Sequence, residues 1–410
     1  MLRVRNHPSI GIYVGRNEGY PPAEIDGFLC DMVARTHPGI SYLSSSADGP
    51  VSGRGPYRAL PVEEYYTLSG QDRLHSERGC PNIMNYENII RALGEENTEP
   101  VSTMEHPNPM YGLHDFVLGN MPGISPAQRT YTFNEIMDKA FGIPEDARTF
   151  SMWSQWLNYD GYRAIFESRS RHRRGMLLWM SHPAWPSFVW QTYDYYFEPT
   201  AGYFGCKKAC EPIHIQWHPL SDEVEAVSWY ASEAEDLSAK AEILDTEGQT
   251  LWTDSRKISI GADQTVSCFS VEYPSDIPEV YFIRLKLEDK DGNTISENIY
   301  WRGRENGNLK ALHDVPQASI SSTVRDYSDK TEEYMEVTLT NKGSSPAMML
   351  RIKVMDSATG DLVLPVLYSD NYFFLMPGES RTVTASVRKE DLRGRPELHV
   401  EGFNLTEQEL

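Results

Sequence analysis

Up to about residue 211, short apolar runs alternate with segments of helical period, the pattern of βα units that stack a parallel sheet. Residues 10–15 read as a buried strand and 25–34 as a helix. Residues 40–43 and 72–76 read as further strands, and 175–180 close the series. In the long stretch before that last strand, Trp153, Trp156, Leu157, Ala164 and Ile165 fall on one face of a helix, at the spacing needed to bury a stripe.

From about residue 212 the period becomes two. In 239–243 and 281–287 apolar residues alternate with polar ones, so each strand has one buried and one wet face. Asp291-Gly292 then reads as a hairpin turn; the nearby Asp289 and Asn293 lack the register and distal Glu of a calcium loop. The alternation returns in 335–339, 352–354 and 383–387. Strands of this length with turns between them predict two immunoglobulin-like sandwiches. The expected organisation is multi-domain, α/β over 1–211 and all-β over 212–304 and 305–410.

The 410-residue length agrees with two or three domains. Thirty-eight basic against 59 acidic residues leave a formal charge of −21, and the longest basic run is Arg171-His172-Arg173-Arg174, so a nucleic-acid partner is excluded. Five Cys at irregular spacings read as reduced thiols, and the Cys206/Cys210 pair has no second pair to complete a zinc site. No apolar h-region opens the chain and no run of 18 apolar residues occurs in it, so no membrane segment is expected and the cellular location stays open. No nucleotide or metal motif argues for a cofactor.

The chemistry-bearing candidates are Glu18 and Glu77, each placed at the end of a predicted strand, where the loops of a βα barrel form its active face. Retaining glycoside hydrolysis needs two carboxyl groups roughly 5 Å apart, one to protonate the leaving oxygen and one to attack the anomeric carbon. With 59 acidic residues in the chain, spacing alone does not select this pair.

The surrounding residues do. Arg5-Asn6-His7-Pro8-Ser9-Ile10, then a strand, then Gly15-Arg16-Asn17-Glu18 resembles the acid/base motif of glycoside hydrolase family 2, and Ser76-Glu77 with Gly79 resembles its nucleophile motif. Further segments are similar to the branch holding exo-β-glucosaminidases and plant-type endo-β-mannosidases. They are Trp153-Ser154-Gln155, Tyr159 to Ala164, Ala184-Trp185-Pro186-Ser187, Tyr193-Asp194-Tyr195-Tyr196, Gly205 to Pro212, and Tyr368 to Phe373 followed by Pro377-Gly378-Glu379-Ser380.

The resemblance implies a partial (β/α)8 TIM barrel, strands 4 to 8, followed by the two sandwiches. It implies Glu18 as general acid and base with a raised pKa, Glu77 as an ionised nucleophile, and Asn17 as a hydrogen-bond partner of the sugar 2-position. His7, Trp179, Trp185 and Asp194 are the further candidates for the sugar pocket, with Trp179 as its floor. The glucosaminidases of this branch have Ser-Asp where this chain has Asn17-Glu18, which favours a neutral sugar, β-mannoside first, with exo-β-D-glucosaminidase activity as the alternative.

The family's barrel strands 1 to 3 and the domains before them have no counterpart in the chain. A half barrel leaves strand edges and interior layers open, so self-association, a complementing N-terminal chain, or an inactive carbohydrate-binding fragment are the corresponding expectations.

Overall fold

The computed structural model describes residues 1–119, 128–172, 174–229 and 234–410; Arg173 of the basic run lies outside them. Among the described residues, the first half carries five parallel strands in two sheets. Strand β1 (Ile12–Arg16) pairs with β2 (Ser41–Ser45), while β4 (Leu74–Arg78) lies between β3 (Val51–Ser52) and β5 (Met176–Leu178).

Helix α1 (Ala23–Thr36) joins β1 to β2. Pro22 stands at its N-cap, Glu24 and Asp26 complement the positive end of its dipole, and Arg35 sits in its last turn. The Asp26 carboxylate accepts hydrogen bonds from Tyr42 (2.6 Å) and Ser44 (2.9 Å), which ties the helix to β2. Strand β1 is less enclosed than its sequence predicts: Ile12 is 43% and Val14 44% exposed, as is Phe28 of α1 at 60%. The reason is pairing. Among the described residues β1 has only β2 beside it, and the apolar clusters begin at Ala59.

The predicted amphipathic helix is Ala147–Glu167, started by the Asp146 side chain, which accepts from the Thr149 amide at 2.7 Å. Its apolar face is the seam of the molecule. Trp156 stacks on Trp301, with centroids 4.1 Å apart and planes 13° from parallel, and the buried Arg163 donates to Asn298 Oδ1 and the Ile299 carbonyl, both at 2.7 Å. One apolar cluster therefore runs from Ile83 and Phe116 through Trp156 to Phe282, Trp301, Met348 and Tyr372.

Among the described residues, the strands of the second half pair antiparallel. Ile213–His218, Glu223–Ser228 and Thr265–Ser270 form one sheet, and Ala234–Leu244, Thr250–Ile260, Val280–Glu288 and Thr294–Gly303 form another. Ile215, Val224, Leu237, Ile243 and Ile283 fill the space between them. Strands within 320–409 repeat the arrangement with two four-stranded sheets around Val337, Ile352, Val383 and Val400. The turn at Asp291-Gly292 is a turn: Gly292 takes φ +82°, and Asp289 Oδ1 accepts from the Asp291 and Asn293 amides at 2.9 and 2.8 Å.

Candidate active site

Glu18 and Glu77, 59 positions apart in sequence, meet at one hydroxyl. Glu18 stands on the turn after β1, and Glu77 is the penultimate residue of β4, so both lie at the carboxyl ends of parallel strands. The Tyr57 hydroxyl reaches Glu18 Oε1 at 2.7 Å and makes a shorter contact with Glu77 Oε1. A phenol carries one proton. It can donate to one carboxylate and must accept from the other, so the arrangement is satisfied when the carboxyl pair itself holds one proton.

Each member is held by its surroundings. Glu18 adopts φ +50°, a left-handed conformation that a non-glycine residue enters only under constraint. Its amide donates to Ser46 Oγ at 2.8 Å, and its carbonyl accepts from the Arg54 guanidinium at 2.6 and 3.1 Å. Tyr57 arrives on the Gly53–Tyr57 loop after β3; its carbonyl accepts from Trp190 Nε1 at 3.2 Å, and the two rings lie 5.7 Å apart. Gly79 lets the ends of β4 and β5 approach closely, since a Cβ there would lie 2.1 Å from the Trp179 carbonyl oxygen.

The electrostatics bear on Glu77. Burial pushes the Glu77 carboxyl up from its ordinary value, the Tyr57 hydrogen bond opposes that, and the neighbouring Glu18 adds to the rise. Strand β4 is flanked by β3 and β5, which encloses Glu77. Burial and the same two carboxyls push the Tyr57 phenol up as well.

The other predicted residues divide. Asn17 adjoins Glu18 on the same turn, exposed, with Oδ1 accepting from Ser46 Oγ at 3.4 Å. Trp179 follows β5, 42% exposed, and its amide donates to the Arg78 carbonyl at 2.9 Å, beside Glu77. His7 is not brought to the pair. It lies exposed in the turns before β1, at the opposite end of the strand from Glu18, so its assignment to the pocket wall is corrected by the length of that strand.

Trp185 stacks on His114, with centroids 5.7 Å apart, and no described contact joins it to the carboxyl pair. Asp194 is fully buried: its Oδ1 accepts from the Tyr196 and Glu198 amides at 2.9 and 3.0 Å, and its Oδ2 from Asn88 at 2.6 Å. Burial and the adjacent Glu198 push its pKa up to about 7. Asp194 shapes a loop, and its assignment as a pocket residue is corrected, because every carboxylate oxygen already has a protein donor.

Sequence reasoning missed Tyr57, Ser46, Arg54 and Trp190. The signal for Tyr57 was the Gly53-Arg54-Gly55-Pro56 turn, but the strand before it has two residues and leaves no periodicity. Among the described residues, Glu87, Glu401 and Glu407 come close enough to hold a metal ion. Lys353 Nζ already contacts Glu87, and Glu407 at 2.9 Å, while the Arg351 guanidinium contacts Glu87 at 3.1 Å and also Glu401 and Glu198. That cluster is an ion-pair network between α2 (Tyr86–Leu93), the loop ending at Glu198 and the last sandwich. Although burial opposes it, the two cations hold the Glu87 carboxyl down at about 2.

Comparison with known proteins agrees with this architecture. Residues 298–405 match the exo-β-D-glucosaminidase Ig-fold domain, and residues 224–303 the mannosidase Ig/CBM-like domain. An exo-β-D-glucosaminidase of Amycolatopsis orientalis is 26% identical over 98% of this chain and 42% of its own length. A mannosylglycoprotein endo-β-mannosidase of Lilium longiflorum is 23% identical over 99% of this chain and 53% of its own. The chain thus spans about half the length of the curated relatives it matches. The crystal structure of the Amycolatopsis orientalis exo-chitosanase superimposes with a TM-score of 0.88 at 24% identity, covering 100% of this chain and 52% of that one. The β-D-mannosidase of Dictyoglomus thermophilum gives 0.74 at 19% identity, covering 98% of this chain and 49% of that one. With relatives of one kind along its whole length, the chain is a homologue of the exo-β-D-glucosaminidases and plant endo-β-mannosidases of glycoside hydrolase family 2.

Proposed function

We propose that this chain carries the reacting carboxyls of a retaining β-glycosidase, with Glu77 as nucleophile and Glu18 as general acid and base. The observation that carries the reading is the convergence of both carboxyls, from separate parallel strands, on the single hydroxyl of Tyr57. In this reading β1 to β5 are strands 4 to 8 of a (β/α)8 barrel, and 1–211, 212–304 and 305–410 are its three domains. A sugar bound between the carboxyls separates them. Glu77 then ionises and attacks the anomeric carbon while Glu18 gives its proton to the leaving oxygen; water later displaces Glu77 with Glu18 as base. Asn17 would bond the 2-position and Trp179 would lie beneath the ring.

Asn17-Glu18 favours β-mannoside or a related neutral β-glycoside as substrate. The exo-β-D-glucosaminidase reading stands beside it, because five of the curated relatives bear that name. Exposed Ile12, Val14 and Phe28 around the unpaired edge of β1 support self-association or a complementing N-terminal chain as the means of completing the pocket.

The test is covalent. A fluoro-sugar with an activated leaving group should form an ester on Glu77, found by mass spectrometry of the digested protein, and parallel assays with aryl β-mannoside and aryl β-glucosaminide identify the sugar. Absence of label and turnover from folded protein would leave the inactive carbohydrate-binding reading.

A second outcome concerns pH. The Tyr57 hydrogen bond lowers the Glu77 pKa, so Tyr57→Phe removes that restraint and the Glu77 pKa rises. Since Glu77 must be ionised to attack, the acidic limb of the kcat/KM profile should move to higher pH in Tyr57→Phe. An unmoved acidic limb would show that Tyr57 does not restrain the nucleophile.

A further inference from the structure

A cavity of about 950 Å³ opens between the loop that follows β5 and the last sandwich. One wall is aromatic. His182 and Phe197 stack with centroids 4.6 Å apart and planes 14° from parallel, and Tyr195 continues the row 6.4 Å from His182. The opposite wall includes Thr359, Asp361 and Arg393.

The aromatic wall is built at a cost. Phe197 takes φ +68°, strained for a side chain of its size, and is nonetheless 56% exposed. The strain is imposed by Asp194, whose carbonyl accepts the Phe197 amide at 3.0 Å while its carboxylate holds the amides on either side. The buried Asp194 thus has a use: it holds an apolar ring out of the core. On the same wall His182 Nε2 is buried without a hydrogen-bond partner among the described residues.

From these observations we infer that this cavity is a binding site for further pyranose units of a β-linked oligosaccharide whose scissile bond lies at Glu18 and Glu77. The inference rests on the glycosidase reading and extends it from the reacting sugar to its chain. Flat aromatic faces suit the C–H faces of pyranose rings, and the polar wall suits their hydroxyls. The volume lies at the upper end of the roughly 300–1,000 Å³ of small-molecule sites, room for more than one sugar. One wall of the cavity also lies near the carboxyl pair along the chain. His182 follows Trp179 by three residues, a span of at most about 11 Å, and Trp179 packs against Gly79 beside Glu77.

The experiment is calorimetric titration of the 410-residue chain bearing Glu77→Gln, which prevents turnover, with β-1,4-mannotetraose, β-1,4-linked glucosamine tetramer and the two methyl β-monosides. One tetramer should bind at least about tenfold more tightly than its monoside, the order expected for covering one aromatic face. Adding Phe197→Ala should weaken the tetramer about tenfold more than the monoside. Tyr195→Ala, away from the left-handed position, should act in the same direction and keeps the test open if Phe197→Ala does not fold. Equal affinities for tetramer and monoside, or equal losses in the variants, overturn the inference, and the cavity is then a contact surface for another protein or unused. The two readings fail separately: a labelled Glu77 with no tetramer advantage removes the cavity alone, and a tetramer advantage without label removes the catalytic reading alone.

Discussion

Glu77→Gln is expected to lower turnover of an aryl β-glycoside by at least about 10⁴-fold, because a nucleophile acting within a catalytic unit accounts for most of the rate enhancement. The amide keeps the shape of the side chain and an oxygen for the Tyr57 hydroxyl, so the fold should be unaffected. Glu18→Gln should behave differently. General acid–base assistance contributes about 10²–10⁴-fold, and a good aryl leaving group needs little protonation. Its first step should survive and its second slow, so that the sugar ester on Glu77 accumulates. Pre-steady-state bursts with dinitrophenyl and methyl glycosides separate the two steps. If both variants retain the turnover of the parent chain, the pair is not the reacting pair.

Arg351→Ala is expected to destabilise the chain by about 3–5 kcal/mol, read as a fall in the urea midpoint at constant slope. Arg351 is 4% exposed and its guanidinium contacts Glu87, Glu198 and Glu401. Removing it leaves the buried Glu198 without its ion-pair partner, while Lys353 and Arg148 remain beside Glu87, Glu401 and Glu407. Arg351→Lys keeps the charge without the planar fork and should recover part of the loss. A change under about 1 kcal/mol in Arg351→Ala would mean that the cluster behaves like a solvent-screened surface pair. Because Glu198 follows the loop that carries Phe197, the same variant should also weaken tetrasaccharide binding.

Sequence and structure agree where a rule of short range applies. The helix at Ala147–Glu167 follows from its apolar stripe and its Asp146 cap. The strands Ala234–Leu244, Val280–Glu288 and Ser380–Arg388 follow from strict alternation, and Asp291-Gly292 from turn chemistry. They part where a residue's role depends on partners distant in the chain. Strand β3 is too short to leave a pattern, so Tyr57 could not be placed at the tip of a strand. Asp194 carries no mark in sequence that distinguishes a carboxylate ringed by amides from one facing a sugar; only the fold brings Asn88 to its second oxygen.

By itself, then, the sequence determined the alternation of elements, the change from period 3.6 to period 2 near residue 212, and the two motif glutamates, because backbone geometry and motif chemistry act over a few neighbouring residues. Tertiary structure alone decided that Glu18 and Glu77 share a hydroxyl, that enclosure raises the Glu77 carboxyl, that His7 lies beyond the opposite end of β1 from Glu18, and that Asp194 supports Phe197. Each of those depends on burial and on hydrogen bonds between segments remote in sequence, which no local pattern encodes.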